Sequence, residues 1–125
     1  MVVGVRIGSG RRLACSRPSG DTTLDTIRLL PRAEYLAVAT DSRVVLETVR
    51  KTLQLHGSLG THLRGVVENM KRRDSAVVEE LASEQGTRYL AALPFDDALE
   101  EAIGDPPRLA ETAFAAGIGK LVETL

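Results

Sequence analysis

The sequence predicts an α/β fold: a mostly parallel sheet with flanking helices. Three observations carry that expectation. First, Tyr35–Ala39, Leu63–Glu68 and Arg88–Leu93 are short runs rich in apolar residues, as expected of strands covered on both faces. Second, the stretches between them carry apolar residues at helical spacing and are punctuated by Gly and Pro. Third, the chain is 43% hydrophobic but only 3% aromatic, so Val, Leu, Ile and Ala must build the core. Small branched side chains suit the space between a sheet and its helices.

Val2–Val5 begins the chain as an apolar strand and runs into a turn at Gly8 and Gly10. Residues 11–20 show little pattern and end as a loop at Pro18, Ser19 and Gly20. Helical spacing starts near Thr22, with Leu24, Ile27 and Leu30 on one face, and Pro31 stops it. After the Tyr35–Ala39 strand, Asp41 or Ser42 can cap a helix over Arg43–His56, punctuated by Gly57 and Gly60. Leu63–Glu68 is the next strand, and Ser75 can cap a helix reaching about Gln85, stopped by Gly86. Pro94 ends the third strand. A short helix is expected over Asp97–Ile103, then a last one over about Arg108–Leu125, opened by Pro106 and Pro107. Strands alternating with helices in this rhythm mean βαβ units in one domain of 125 residues.

Charge and cysteine content narrow the function. The net charge of -1 speaks against a nucleic-acid partner. Arg6, Arg11, Arg12, Arg17, Arg28 and Arg32 outweigh Asp21 and Asp25 near the start. The bland reading is ordinary surface charge; the sharper one is a cationic segment near a phosphate or an acidic partner. Cys15 is the one cysteine, which excludes an intramolecular disulfide and a multi-cysteine metal site. Nothing reads as a signal peptide or a membrane span, so a cytoplasmic protein is expected. His56 and His62 have no neighbouring carboxylates or thiols and read as surface residues. Lys71, Arg72 and Arg73 read as a solvated loop. Asp96, Asp97, Glu100 and Glu101 read as carboxylates favoured by a helix start.

Ligands of parallel sheets sit at the carboxyl ends of the strands. Those ends are Thr40-Asp41, Asn69-Met70 and Pro94-Phe95-Asp96, three loops expected on one rim. Asn69 carries both a donor and an acceptor and can read an adenine edge bidentately. Its alternative role is a turn asparagine that closes a βα loop.

Five short segments in order then carry a resemblance: Pro18-Ser19-Gly20-Asp21, Val38-Ala39-Thr40 before a Val-rich helix, Gly65-Val66-Val67-Glu68-Asn69-Met70, Leu93-Pro94-Phe95-Asp96 and Glu101-Ala102-Ile103-Gly104-Asp105. Residues 18–125 resemble the C-terminal half of the MinD/Mrp/ParA-type P-loop ATPases, with residues 1–17 a divergent N-terminal segment. The resemblance implies a partial P-loop NTPase-like fold that takes an adenine nucleotide, ATP or ADP. Asn69 would contact adenine, Pro94, Phe95 and Asp96 would line the base pocket, and Gly20, Asp21 and Thr22 would form the phosphate-side loop. It also implies a homodimer or a partner protein.

The departures matter as much. The family's Gly-Lys-Ser/Thr loop supplies amides, a lysine and a magnesium-binding hydroxyl, and no such motif stands in this sequence. Arg11 or Arg12 offers charge alone. The resemblance therefore implies a chain that does not hydrolyse ATP by itself, with no catalytic residue assigned. Magnesium is expected only if a phosphate site is completed. The Cys-x-x-Cys that follows Glu-Asn-Met in iron–sulfur carriers is replaced by Lys71, Arg72, Arg73 and Asp74, so the usual cluster ligands are missing. The segment between the family's first strand and its Gly-Asp loop is expected to be absent as well. Two other readings stand beside nucleotide binding: a non-catalytic interaction or dimerisation domain, and half of a split ATPase completed by a partner chain.

Overall fold

Strand-forming aliphatic runs assemble into one five-stranded sheet in the order β2-β1-β3-β4-β5. A computed structural model describes Val3–Arg6, Cys15–Ser16 and residues 20–125, with side chains from Leu24 onward. The strands are β1 (Val3–Arg6), β2 (Cys15–Ser16), β3 (Glu34–Ala39), β4 (His62–Lys71) and β5 (Tyr89–Pro94). The helices are α1 (Gly20–Leu29), α2 (Arg43–Leu59), α3 (Val77–Glu84), α4 (Asp97–Ala102), α5 (Pro106–Ala110) and α6 (Ala113–Thr124). The fold class is the expected one: β3, β4 and β5 are parallel and flanked by helices.

The start of the chain departs from expectation. In a sheet expected to be mostly parallel, β1 pairs antiparallel with β3. Arg6, its last residue, pairs with Glu34 at the amino end of β3. β1 therefore ends on the rim opposite Thr40, Asn69 and Pro94. The glycine turn at Gly8 and Gly10, Arg11, Arg12 and the Pro18-Ser19 part of the loop lie outside the described residues.

β4 is buried on both faces over residues 65–68, whereas β3 alternates buried and half-buried residues and β5, at the sheet edge, leaves Ala92 exposed. One face carries Ala37, Ala39 and Val66 against Val49 and Leu53 of α2 and Val78, Leu81 and Ala82 of α3. The other carries Val67 and Leu93 against Leu121, Phe114 and Ile118 of α6. Each fully buried aliphatic side chain is worth roughly 1.5–3 kcal/mol. A third cluster joins Ile27 of α1 to Ala33 and Tyr35. There the Tyr35 hydroxyl lies 3.4 Å from both the Thr26 and the Leu30 carbonyl oxygens. Burial raises the Tyr35 pKa above its ordinary 10.0, so the hydroxyl stays a donor.

One glycine, Gly65, is required by close approach of backbone, and a second, Gly117, lies against a leucine side chain. At Gly65 (φ +154°) a Cβ would stand 2.5 Å from the Arg88 carbonyl oxygen and 2.7 Å from Leu90 Cγ. That carbonyl accepts the Val66 N–H at 2.8 Å, so β4 and β5 meet there without room for a side chain. At Gly117 a Cβ would come within 2.9 Å of Leu93 Cδ2, where α6 crosses β5.

Helix boundaries follow local chemistry. α2 runs three residues past His56 and ends on Gly60, whose φ of 62° is the left-handed cap. Gly86, with φ 64°, follows α3 in the same way. The single last helix expected over Arg108–Leu125 is two helices. α5 starts at the prolines, and Thr112 ends the continuity by capping α6, its Oγ1 accepting the Ala115 N–H at 3.1 Å. No helix among the described residues is long and apolar enough to cross a membrane.

Candidate functional site

The carboxyl rim of β3, β4 and β5 gathers most of the side chains singled out from sequence. β4 does not stop at Glu68 but continues through Asn69 and Met70 to Lys71. Asn69 is therefore a half-buried strand residue rather than a turn residue. The β4–β5 register shifts between Glu68 and Lys71, and within that irregularity Met70 takes φ 59°. A non-glycine residue in the left-handed region costs roughly 1–3 kcal/mol, and such strain gathers at functional sites.

Beyond the irregularity the strands close again. Lys71 pairs with Pro94, and the Phe95 N–H donates to the Lys71 carbonyl at 3.0 Å. Asn69, Pro94 and Phe95 are thus brought to one rim, within two residues of a shared rung. Asp96 joins them in position but is occupied. Its Oδ1 accepts from the Ala98 N–H at 3.0 Å, capping α4, and its Oδ2 accepts from the Phe114 N–H at 3.2 Å, at the start of α6. Asp96 fixes two helix starts beneath the rim rather than presenting a bare carboxylate. Gly20, Asp21 and Thr22 form the first turn of α1, and the side chains of Asp21 and Thr22 lie outside the described residues. β2, just upstream, places Ser16 level with Ala37, because both pair with Val3.

Of the three basic residues after Met70, Arg72 and Arg73 are exposed in the loop past β4, whereas Lys71 is not a solvated loop residue. Lys71 is committed inward: its Nζ donates to Glu68 Oε2 at 2.8 Å and to the Ser75 carbonyl at 2.7 Å. Glu68 is only 1% exposed, and the Tyr89 hydroxyl also donates to its Oε2, at 2.7 Å. Glu68 Oε1 is buried without a partner among the described residues. The Tyr89 hydroxyl has its pKa pushed well above the ordinary 10.0, first by burial, then by its bond to Glu68 and by the negative charge of Glu68 and Glu79. It remains a donor throughout the neutral range. Arg72 lays its guanidinium over the Phe95 ring, with Cζ 3.6 Å from the centroid. Arg73 reaches Asp41 at 3.5 Å and joins the β3–α2 turn to the β4–α3 turn.

Composition hid these roles because each residue type is common on surfaces. One signal was available: Glu68 is a carboxylate inside an apolar run with a cation three residues later, and an ionised group buried in that way requires a partner.

At the other rim, His56 is buried rather than exposed, at 2%. Its Nδ1 lies 2.6 Å from the Thr61 hydroxyl and its ring sits 4.7 Å from that of Tyr35. Burial lowers its pKa below the ordinary 6.5, so the ring is neutral at neutral pH. The helix spacing of α2 could have placed it: His56 lies three and seven residues beyond the core residues Leu53 and Val49. His62 is exposed, and the side chain of Cys15 lies outside the described residues.

No curated protein matches this chain. A family model described as "ParA: NUBPL iron-transfer P-loop NTPase" matches residues 17–116, a span that holds the Gly20–Thr22 turn, β3 to β5 and the Asn69–Pro94–Phe95 rim. The chain belongs to this family of ParA-like P-loop NTPases.

Proposed function

We propose that the chain is an adenine-nucleotide-binding domain that holds the base at the carboxyl rim and does not hydrolyse ATP alone. The observation that carries this reading is the shared rung of Lys71 and Pro94, which gathers Asn69, Pro94 and Phe95 in one place. Asn69 offers a donor and an acceptor to the base edge. Pro94 and Phe95 offer apolar surface. The first turn of α1, from Gly20 to Thr22, offers helix-start amides to a phosphate.

Phosphoryl transfer depends on amides, a lysine and a metal placed around the phosphates. With no Gly-Lys-Ser/Thr in the sequence, base contacts dominate and binding is weak. The family description names iron transfer, but Cys15 alone cannot supply a multi-cysteine cluster site. In this reading, thiolate ligands for such cargo come from another chain. A cytoplasmic setting and a homodimer or partner protein belong to the same proposal.

A second reading, an interaction or dimerisation domain, is favoured by apolar exposure on the same rim. Val44, Met70 and Val77 are 76%, 49% and 38% exposed there.

Calorimetric titration with ATP and ADP, with and without magnesium, beside a sizing measurement, separates the two. The nucleotide reading expects a dissociation constant on the order of 100 µM or weaker, unchanged by magnesium. Tight, magnesium-dependent binding would contradict the missing phosphate grip. No binding by a stable dimer would favour the interaction domain.

A further inference from the structure

The stack of Arg72 on Phe95 is more specific than a surface contact between a cation and a ring. Both partners are tied to one rung: Arg72 follows Lys71, whose carbonyl accepts the Phe95 N–H at 3.0 Å. The Lys71 ammonium is held by Glu68 and the Ser75 carbonyl, which anchors the backbone immediately before Arg72. The left-handed Met70 turns the chain just ahead of it. With Cζ 3.6 Å from the ring centroid, the guanidinium packs against the ring, and Arg72 is exposed to solvent on its other side. A guanidinium is planar and weakly hydrated, and its free face stacks on nucleobases.

We propose that Arg72, supported from below by Phe95, is the platform on which the base stacks. The inference rests on the base-site reading above and names its ligand class: adenine nucleosides and nucleotides alike, selected by base rather than by phosphate number. Base edge and base face are then recognised by different residues, Asn69 for the edge and the Arg72–Phe95 pair for the face. Lysine in place of Arg72 would keep the charge but lose the plane.

The test compares adenosine and ADP, titrated into the full chain and followed by ligand-detected NMR. Wild type is expected to bind both within a few-fold of each other. Arg72→Ala is expected to weaken both by about tenfold, in line with the loss of one base stack, and Arg72→Lys to restore little of it. Melting curves of both variants are expected to match wild type, because the side chain is exposed. Unchanged adenosine and ADP affinity in Arg72→Ala, with Asn69→Ala weakened, would overturn the stacking platform and leave the base site standing. A loss for ADP but not adenosine would also overturn it, by making Arg72 a phosphate contact. Failure of wild type to bind either ligand would overturn both the platform and the reading it rests on.

Discussion

Lys71→Met is expected to lower the unfolding free energy by about 3 kcal/mol, the low end of the range for breaking a buried ion pair. Glu68 is 1% exposed, and its Oε2 accepts from the Lys71 ammonium and the Tyr89 hydroxyl. Removal of the ammonium leaves a carboxylate in a low-dielectric site with one neutral donor. The low end is appropriate because the Lys71 side chain is 24% exposed, which lets water relieve part of the loss. The Ser75 carbonyl loses its donor in the same substitution. Glu68→Gln combined with Lys71→Met removes the uncompensated charge and is expected to recover most of the stability. Urea denaturation of wild type and the two variants measures both effects. A single variant within about 1 kcal/mol of wild type, a loss in the range of a surface pair, would mean that the clamp is not buried in solution.

Gly65→Ala is expected to cost about 3 kcal/mol, combining overpacking with a backbone conformation unfavourable to alanine. The obstruction is mostly backbone. The new methyl would meet the Arg88 carbonyl oxygen at 2.5 Å, and that oxygen cannot retreat without breaking its bond from the Val66 N–H. Leu90 Cγ, at 2.7 Å, adds a second collision. The strain falls between β4 and β5, the two strands that bring Asn69 beside Pro94. A thermal melt of Gly65→Ala checks this; an unchanged midpoint would mean that the strands do not approach so closely at that rung.

Where the sequence was legible, a single local rule sufficed. Tyr35–Ala39 and the β4 and β5 runs read as strands because they are short apolar runs, although only the centre of β4 is buried on both faces. Gly60 and Gly86 read as helix stops because both take left-handed conformations. The rim at Asn69, Pro94 and Phe95 followed from the parallel topology. What stayed hidden depends on contacts between distant elements. The Arg108–Leu125 stretch looks like one helix until Thr112 finds the Ala115 amide. β1 reads as a strand from its apolar run, but only its pairing with β3 sets its antiparallel direction. Lys71, Arg72 and Arg73 form a charge run in sequence. In the fold they have three separate partners: Glu68, Phe95 and Asp41. Asp96 also caps two helix starts, and its bond from the Phe114 amide joins residues eighteen apart in the chain.

The central claim is that the adenine contact lies at the carboxyl rim, and amide NMR during an ADP titration tests it most directly. The expected result is a saturable shift of the Asn69 side-chain amide together with the Phe95 backbone amide, with Thr61 and His62 at the opposite rim unmoved. Shifts confined to Thr61 and His62, or a silent Asn69 amide while ADP binds, would contradict it.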